Sequence, residues 1–486
     1  MLNDILGQIN DLMYTYLLLF LLLGTGLYFS IRSRFAQVRL MKEGFRILTE
    51  KAEVEDGKKQ VSSFQALMIS TASRVGTGNI AGIATAIAAG GPGAVFWMWV
   101  MAVIGGASAF IESTLAQVYK TKDGKDFRGG PSYYMEKALG KRWMGVLFSV
   151  LLIICFAYGF NGLQSYNMSS ALEYYIPGYS ESSYPMIVGL ILAVGTGLII
   201  FGGVHRIGFI TSVMVPIMAG AYLLIGLFTI VTHLPQLPGV LAMILSEAFD
   251  VQAIMGGLAG SAVVIGIKRG LFSNEAGMGS APNAAASASV SHPAKQGMVQ
   301  VISVFIDTLL ICSATAMMLL LSGVQGEAGV LDGIPFVQKA ISANVGTWGI
   351  HFITASIFAF AFSSLIGNYY YAESNILFIK NNKVLLFVFR CTCLLAVFLG
   401  AQADFSLVWN LADITMGCMA IVNIIAILLL GNIALKVLKD YETQKKAGKN
   451  PVFKAENVGI KNTDCWKYSN KQLHQKSDAA ACFICG

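Results

Sequence analysis

The chain has 486 residues, 55% of them hydrophobic and only 13% charged, with a net charge of +7. A typical soluble domain is roughly 25% charged, and a chain with so little charge cannot cover several globular domains with polar surface. Disordered, collagen-like and disulfide-scaffold proteins are excluded by the same numbers, which leaves an all-α polytopic membrane protein.

A membrane-crossing helix needs about 20 mostly apolar residues. In chain order such runs lie at 12–33, 65–90, 94–119, 143–172, 185–202, 208–232, 255–283, 297–323, 348–379, 384–402 and 405–432, which predicts about 11 transmembrane helices. The first is read as a retained helix, not a cleaved signal peptide, because Asp4 and Asp11 precede it and no Lys or Arg does. Cys155, Cys312, Cys391, Cys393 and Cys418 sit inside apolar runs and read as small apolar side chains.

Lys and Arg predict the sidedness. The loop after the first span carries Arg32, Arg34, Arg39, Lys42, Arg46, Lys51, Lys58 and Lys59, and the loop after the third carries Lys120, Lys122, Lys125, Arg128, Lys137, Lys141 and Arg142. Arg206, Lys295, Lys380, Lys383 and the basic residues after 432 fall on the same side, with Lys339 the exception. The expected arrangement is a multi-pass protein of a bacterial-type plasma (inner) membrane, amino terminus outside and carboxyl terminus cytoplasmic. The positive charge is then a topological signal, and the expected partner is the lipid bilayer, not nucleic acid.

Two spans are poor helices. One holds Gly76-Thr77-Gly78-Asn79-Ile80-Ala81-Gly82, the other Lys268-Arg269-Gly270-Leu271-Phe272-Ser273-Asn274-Glu275-Ala276-Gly277-Met278-Gly279. Glycine and asparagine lower helix propensity, and a break inside a bilayer survives only where protein or a wet cavity satisfies the backbone. Glycines alone would also suit a packing interface; Asn79, Asn274 and Glu275 beside them point to a cavity. Each break opens a block of five spans, and interrupted segments at matching positions in two halves mark inverted-repeat transporters. The division expected is an N-terminal helix with a basic segment (1–60), a first five-helix repeat (61–235), a second (236–432) and a cytoplasmic polar tail (433–486). Half-helix amino ends favour a carboxylate and freed carbonyls a cation, so the residues suggest cation-coupled uptake of a small anionic or zwitterionic solute.

The segments Gly76–Gly82, Gly90-Gly91-Pro92-Gly93, Gly129-Gly130-Pro131, Phe272–Ser280 and Phe305-Ile306-Asp307-Thr308 resemble the alanine/glycine:cation symporter family, also called sodium:alanine symporters. The resemblance runs from about 12 to 455. It implies a bacterial leucine-transporter-like core of five plus five helices with an extra amino-terminal helix. It also implies import of small neutral amino acids by alternating access, with Na+ as coupling ion and no organic cofactor. By the same resemblance Thr77, Gly78, Asn79, Gln164, Gly270, Asn274 and Asn368 would bind substrate, Thr77 and Gly78 through backbone amides. Sodium would take carbonyls of Ala72 and Val75 and hydroxyls of Ser363 and Ser364, hard oxygens for a hard cation. Serine back-bonding to its own helix is the plain alternative for Ser363 and Ser364. One departure stands out: many members carry Trp where this chain has Asn368, which widens the expected substrates from alanine and glycine to glutamine.

Arg74, Glu112, Lys268, Arg269, Glu275, Asp307, Glu373 and Asp413 fall within predicted spans, where charges are costly and usually paired. No catalytic constellation appears, so an enzyme is not expected. Proton coupling is the alternative to sodium, and a channel the alternative class. Cys465, His474, Cys482 and Cys485 in the tail could hold a metal only with better spacing, and a flexible tail is the expectation.

Overall fold

The protein is described here by a computed structural model, which describes residues 2–50, 54–55, 58–124, 126–202, 204–250 and 260–466. Helix starts are written in capping residues. Ser62 and Gln65 form a reciprocal box, Gln65 N to Ser62 Oγ at 3.1 Å and Ser62 N to Gln65 Oε1 at 3.0 Å, opening the helix Ser63–Arg74. Asn382 caps Lys383–Gly400 by accepting from Val384 N at 2.8 Å, and Asp404 caps Phe405–Lys446 by accepting from Leu407 N at 3.2 Å.

Among the described residues, eight helices are long and apolar enough to cross a membrane: Asn3–Arg32, Gly93–Val118, Arg142–Ser170, Phe209–Thr232, Ala294–Leu320, Trp348–Ile379, Lys383–Gly400 and Phe405–Lys446. The 17-residue helix Tyr184–Ile200 is apolar but shorter. The two weak helical runs are interrupted as their composition predicts. The first is Ser63–Arg74 followed by Ala81–Gly90, the second Ala262–Asn274 followed by Pro282–Ser287. The beginning of the predicted span 255–283 lies outside the described residues.

Burial sorts these helices into an inner core and an outer belt. The apolar windows of Gly93–Val118 and Ala294–Leu320 are 67% and 72% buried, those of Phe209–Thr232 and Lys383–Gly400 only 33% and 22%. The belt helices turn Leu190, Leu198, Ile217, Leu224 and Val384 outward, and an apolar exterior of this kind suits hydrocarbon, not water. The two broken helices pack against the inner pair and the long helix Trp348–Ile379.

Short helices also lie between the predicted spans, among them Pro131–Leu139, Leu237–Ala248 and Gly333–Val345, with 9, 12 and 13 residues. They are too short to span and lie in the connections. The closing helix runs on to Lys446, beyond the predicted end at 432, because Val437, Leu438 and Tyr441 continue its buried face. Tyr441 Oη donates to Glu43 at 2.5 Å and Lys445 pairs with Glu43 at 2.9 Å, docking it on the helix Met41–Leu48.

The tail departs from a flexible expectation as far as residue 466. Ser291 Oγ donates to Pro451 O at 2.9 Å, Phe453 N to Ser291 O at 2.9 Å, and Trp466 Nε1 to Gln117 O at 2.8 Å. Asp464 accepts from Thr121 Oγ1 and Lys137 Nζ, each at 2.7 Å. Trp466 packs on Val61, Ala66, Ala288 and Val290, burying apolar surface that a free tail would leave in water. His474, Cys482 and Cys485 lie outside the described residues; among those described, Cys465 has no metal-ligating cluster around it.

Candidate transport site

The first break follows from where its helix stops. Gly76 adopts an extended conformation, a 3₁₀ turn covers Thr77–Asn79, and Gly76 N donates to Asn79 Oδ1 at 3.0 Å. The last carbonyls of the first half-helix are therefore free of helical partners. Ser364 Oγ, on the long helix Trp348–Ile379, lies 3.1 Å from Ala72 O, 3.1 Å from Ser73 O and 3.5 Å from Val75 O. Ser363 Oγ is 3.4 Å from Val75 O, and 2.8 Å from Phe360 O in its own helix. All four residues expected to hold sodium are buried; Ser364 adjoins the carbonyls of both Ala72 and Val75, and Ser363 adjoins that of Val75. Edges of 3.1–3.5 Å suit an oxygen polyhedron around a hard cation bound at roughly 2.3–2.6 Å.

Close backbone approach explains two glycines here. A Cβ on Gly76 would strike Ser364 Oγ, and one on Gly78 would enter the Phe272 ring. Gln164 Oε1 accepts from Thr77 N at 3.1 Å, and Asn167 Nδ2 donates to Thr77 Oγ1 at 2.9 Å. The amide expected to meet a substrate carboxylate is thus held by Gln164 in this conformation.

Asn79 joins the two breaks. Its Nδ2 donates to Asp307 Oδ1 at 2.6 Å and to Ser273 Oγ at 3.1 Å, while Ser273 and Thr308 donate to Asp307 Oδ2 at 2.5 and 2.9 Å. Asp307 and Thr308 sit on the π turn Ile306–Cys312, a local widening of the helix common at functional sites. The second break turns through Glu275, Gly277 and Gly279, all with positive φ. Glu112 accepts from Gly277 N at 3.2 Å and Asn423 Nδ2 at 2.7 Å, and Glu275 accepts from Ser280 at 2.5 Å and lies 3.0 Å from Ser73 Oγ. Protein groups so supply the partners that the broken backbone would lack in lipid.

Three expected substrate residues take other positions. Gly270 contributes no polar side chain: it is the smooth surface on which Met98 and Met101 pack, and a Cβ there would lie 3.1 Å from Met101 Cβ. Asn274 accepts from Ala276 N at 3.0 Å, and its Nδ2 is buried without a hydrogen bond. Asn368 accepts from Ser73 Oγ at 2.7 Å and donates to Asn161 Oδ1 at 3.0 Å, so both ends of its amide are engaged. Arg74 reaches Gln300 Oε1 at 3.2 Å, and its Nε and Nη2 are buried without a hydrogen bond.

Residues that the motifs named only as buried charges close one end of the site. Phe272 lies over Gly78 and packs on Phe160 and Trp409, with ring centroids 4.7 and 5.3 Å away. The Arg269 guanidinium stacks on Trp409 at 4.4 Å. Lys268 and Arg269 both pair with Asp413 Oδ2, at 2.9 and 2.6 Å, and Asn10 and Tyr14 of the amino-terminal helix join that carboxylate and its backbone. Opposite charges 144 residues apart carry no signal of such pairing until the helices are assembled.

Two interrupted helices meeting over freed carbonyls and serine hydroxyls define a membrane transporter of the broken-helix class. The fold is shared with two solved transporters. MhsT, solved with L-phenylalanine, has a TM-score of 0.50 at 14% identity over 80% of this chain and 99% of that one. The Eremococcus coleocola manganese transporter has a TM-score of 0.51 at 14% identity over 82% of this chain and 84% of that one.

The chain belongs to the sodium:alanine symporter family, whose model matches residues 1–455. It is a transporter and not an enzyme. It is 49% identical to the amino-acid carrier protein AlsT of Bacillus subtilis over 466 residues, 96% of this chain and 98% of that protein. It is 50% identical to the probable sodium/glutamine symporter GlnT of the same organism, over 96% of this chain and 97% of that one. The sodium/alanine symporter AgcS of Methanococcus maripaludis is 35% identical over 92% of this chain and 99% of its own.

Proposed function

We propose that this protein is a multi-pass plasma-membrane symporter that imports small neutral amino acids, alanine, glycine and glutamine, with Na+ as the coupling ion. One observation supports the ion: Ser364 Oγ lies beside the carbonyl oxygens of Ala72 and Val75, and Ser363 Oγ beside that of Val75, at a buried helix break. Membership of the sodium:alanine family and the relatives named for alanine and glutamine carry the substrate. In this reading the eight long helices, Tyr184–Ile200 and the two broken helices make eleven passes: an amino-terminal helix and an inverted five-plus-five core. The divisions fall at 1–60, 61–235, 236–432 and 433–486, with the amino terminus outside and the basic loops in the cytoplasm.

Substrate would lie against the first break. Its carboxylate would compete with Gln164 for the amide of Thr77, beside Gly78 and Asn79, with Asn274 Nδ2 as a spare donor from the second break. Gly270 and Asn368 would shape the wall from behind. The Phe272–Trp409 lid and the Asp413 latch would open outward and the opposite end inward, in alternation. The test is uptake of labelled alanine, glycine and glutamine in proteoliposomes, with sodium and proton gradients imposed separately. A potential of 100 mV supplies about 2.3 kcal/mol per charge and a tenfold sodium gradient about 1.4 kcal/mol, so one coupled ion supports accumulation of roughly 400-fold. Equal uptake after choline replaces sodium at fixed pH would overturn the sodium coupling.

A further inference from the structure

The first half-helix is held at both ends. Ser63–Arg74 has 12 residues, roughly 18 Å at 1.5 Å per residue. Its last turn and Val75 supply the carbonyls of the ion site. Its first turn meets the chain that follows the second broken helix: Ser289 N donates to Val61 O at 2.9 Å, and Gln296 Nε2 to Ser63 Oγ at 3.0 Å. The basic loop 34–60 leads into this end, which puts it on the cytoplasmic side of the proposed topology. Alternating access parts the two broken helices here when solute leaves inward.

Trp466 lies across that seam. Its ring packs in a cluster made of Val61 and Ala66, at the start of the first half-helix, and Ala288 and Val290, just after the second broken helix. Its Nε1 donates to Gln117 O at 2.8 Å, and Lys120 Nζ stands 5.1 Å from the ring centroid. Gln117 Nε2 and Lys120 Nζ each donate to Ala288 O at 2.9 Å. The chain leading to Trp466 is fastened at separate points. The Phe453 ring stands 5.3 Å from that of Trp466, Asn462 Nδ2 donates to Lys137 O at 3.1 Å, and Asp464 pairs with Lys137 at 2.7 Å. Parting the seam separates the two walls between which Trp466 is packed, and returns apolar surface to water. The family model ends at residue 455, so Asn462, Asp464 and Trp466 lie beyond what membership of the family accounts for.

We propose that residues 451–466 are an inner-gate strap. Docked, Trp466 clamps the cytoplasmic ends of the two broken helices together; undocking accompanies opening to the cytoplasm. The strap and the coupling ion hold opposite ends of one short helix in the same closed arrangement. Each therefore strengthens the other, and the coupling is reciprocal.

The ion coupling rests on the sodium reading above; the strap itself does not, and its test needs no turnover. Ser70 is buried one helical turn deeper than Ala66 on the same face, so a thiol there reports parting of the seam and not the mere uncovering of Ala66. Full-length Ser70→Cys protein in nanodiscs is labelled with N-ethylmaleimide, and the peptides carrying position 70 and Cys155 are quantified by mass spectrometry. Cys155 is fully buried in another helix and reports unfolding. If loss of the strap takes the open fraction from about a tenth to about a half, Trp466→Ala raises labelling at position 70 about fivefold without sodium. The sodium concentration that halves the rate then rises about twofold. Trp466→Phe, which keeps an aromatic ring on the seam, should restore most of the protection. Asp464→Asn, which weakens only the Lys137 anchor, should raise labelling about threefold. Labelling at position 70 unchanged in Trp466→Ala, with Cys155 protected, would overturn the strap. Where Trp466→Ala exposes Cys155 as well, Asp464→Asn decides, and an unmodified rate there overturns it. A fivefold rise with the sodium midpoint unmoved overturns the coupling to the ion. Labelling of the Ser70→Cys protein that ignores sodium overturns the sodium reading instead, and the comparison without sodium still decides the strap.

Discussion

Ser364 Oγ lies 3.1 Å from the carbonyl oxygen of Ala72, across 292 positions of sequence, at the point where the first half-helix runs out of hydrogen-bond partners. A hydroxyl in that position either satisfies the freed carbonyls itself or shares a cation with them. Ser363 differs, because its 2.8 Å bond to Phe360 O is made within its own helix. Ser364→Ala should therefore raise the sodium concentration for half-maximal uptake about tenfold, the loss of one charge-assisted contact of about 1.4 kcal/mol. Ser363→Ala should shift it less. Uptake against sodium concentration in both variants, normalised to surface expression, checks this; unchanged sodium dependence in the double variant would remove the cage as the ion site.

Gly78→Ala is expected to abolish transport with normal membrane insertion. The added methyl would enter the Phe272 ring, which is held by Phe160 and Trp409 and has little room to give. Phe272→Leu in the same chain should recover part of the lost uptake, which a general folding defect would not allow.

Asp413 sits between Lys268 and Arg269, with Asp413 and Arg269 buried and Lys268 15% exposed. Asp413→Ala would leave buried Arg269 and part-buried Lys268 without a counter-charge, a loss of up to about 3–5 kcal/mol typical of breaking a buried pair. A clear fall in Tm of the detergent-purified protein is expected. Lys268→Met removes one cation and leaves the Arg269 pair, so its fall should be smaller. Equal shifts in the two variants would count against a shared carboxylate.

Both ends of the Asn368 amide are occupied, by Ser73 and Asn161. Asn368→Ala should lower alanine and glutamine uptake by the same factor, since Ser73 and Glu275 lose their alignment for either substrate. A fall confined to glutamine would show that the amide turns to the substrate during the cycle, and selectivity would then be set at this position.

His292 lies in the loop before Ala294–Leu320. Burial holds its imidazole below its ordinary value despite the bond to Asp440 at 3.1 Å, and the ring packs on Tyr441 and Phe453. The folded state thus favours the neutral ring. The stability this contributes is present above the unfolded pKa of about 6.5 and is lost as pH falls through the lower folded value. The protection factor of the peptide around Phe453, its exchange rate corrected for the intrinsic pH dependence, should fall on acidification below about pH 6.5, and His292→Gln should flatten that dependence.

Composition and local pattern determine much of this protein. Low charge makes it a membrane chain, and glycines, Asn79 and Asn274 mark the two places where helices cannot continue, because both effects act within a few residues. The motifs around Gly76 and Phe272 place it in its family. What only the tertiary structure decided are pairings between distant segments: Ser364 with Ala72, Gln164 with the Thr77 amide, Asn79 with Asp307, Asp413 with Lys268 and Arg269. The same holds for Asn368, whose partners Ser73 and Asn161 lie 295 and 207 positions away. The tail reads as polar and free because its few anchors, Phe453 and Trp466, are buried only by surfaces that other helices bring to it. Local sequence sets where the backbone must break; only packing decides which distant oxygen, amide or carboxylate meets the groups the break sets free.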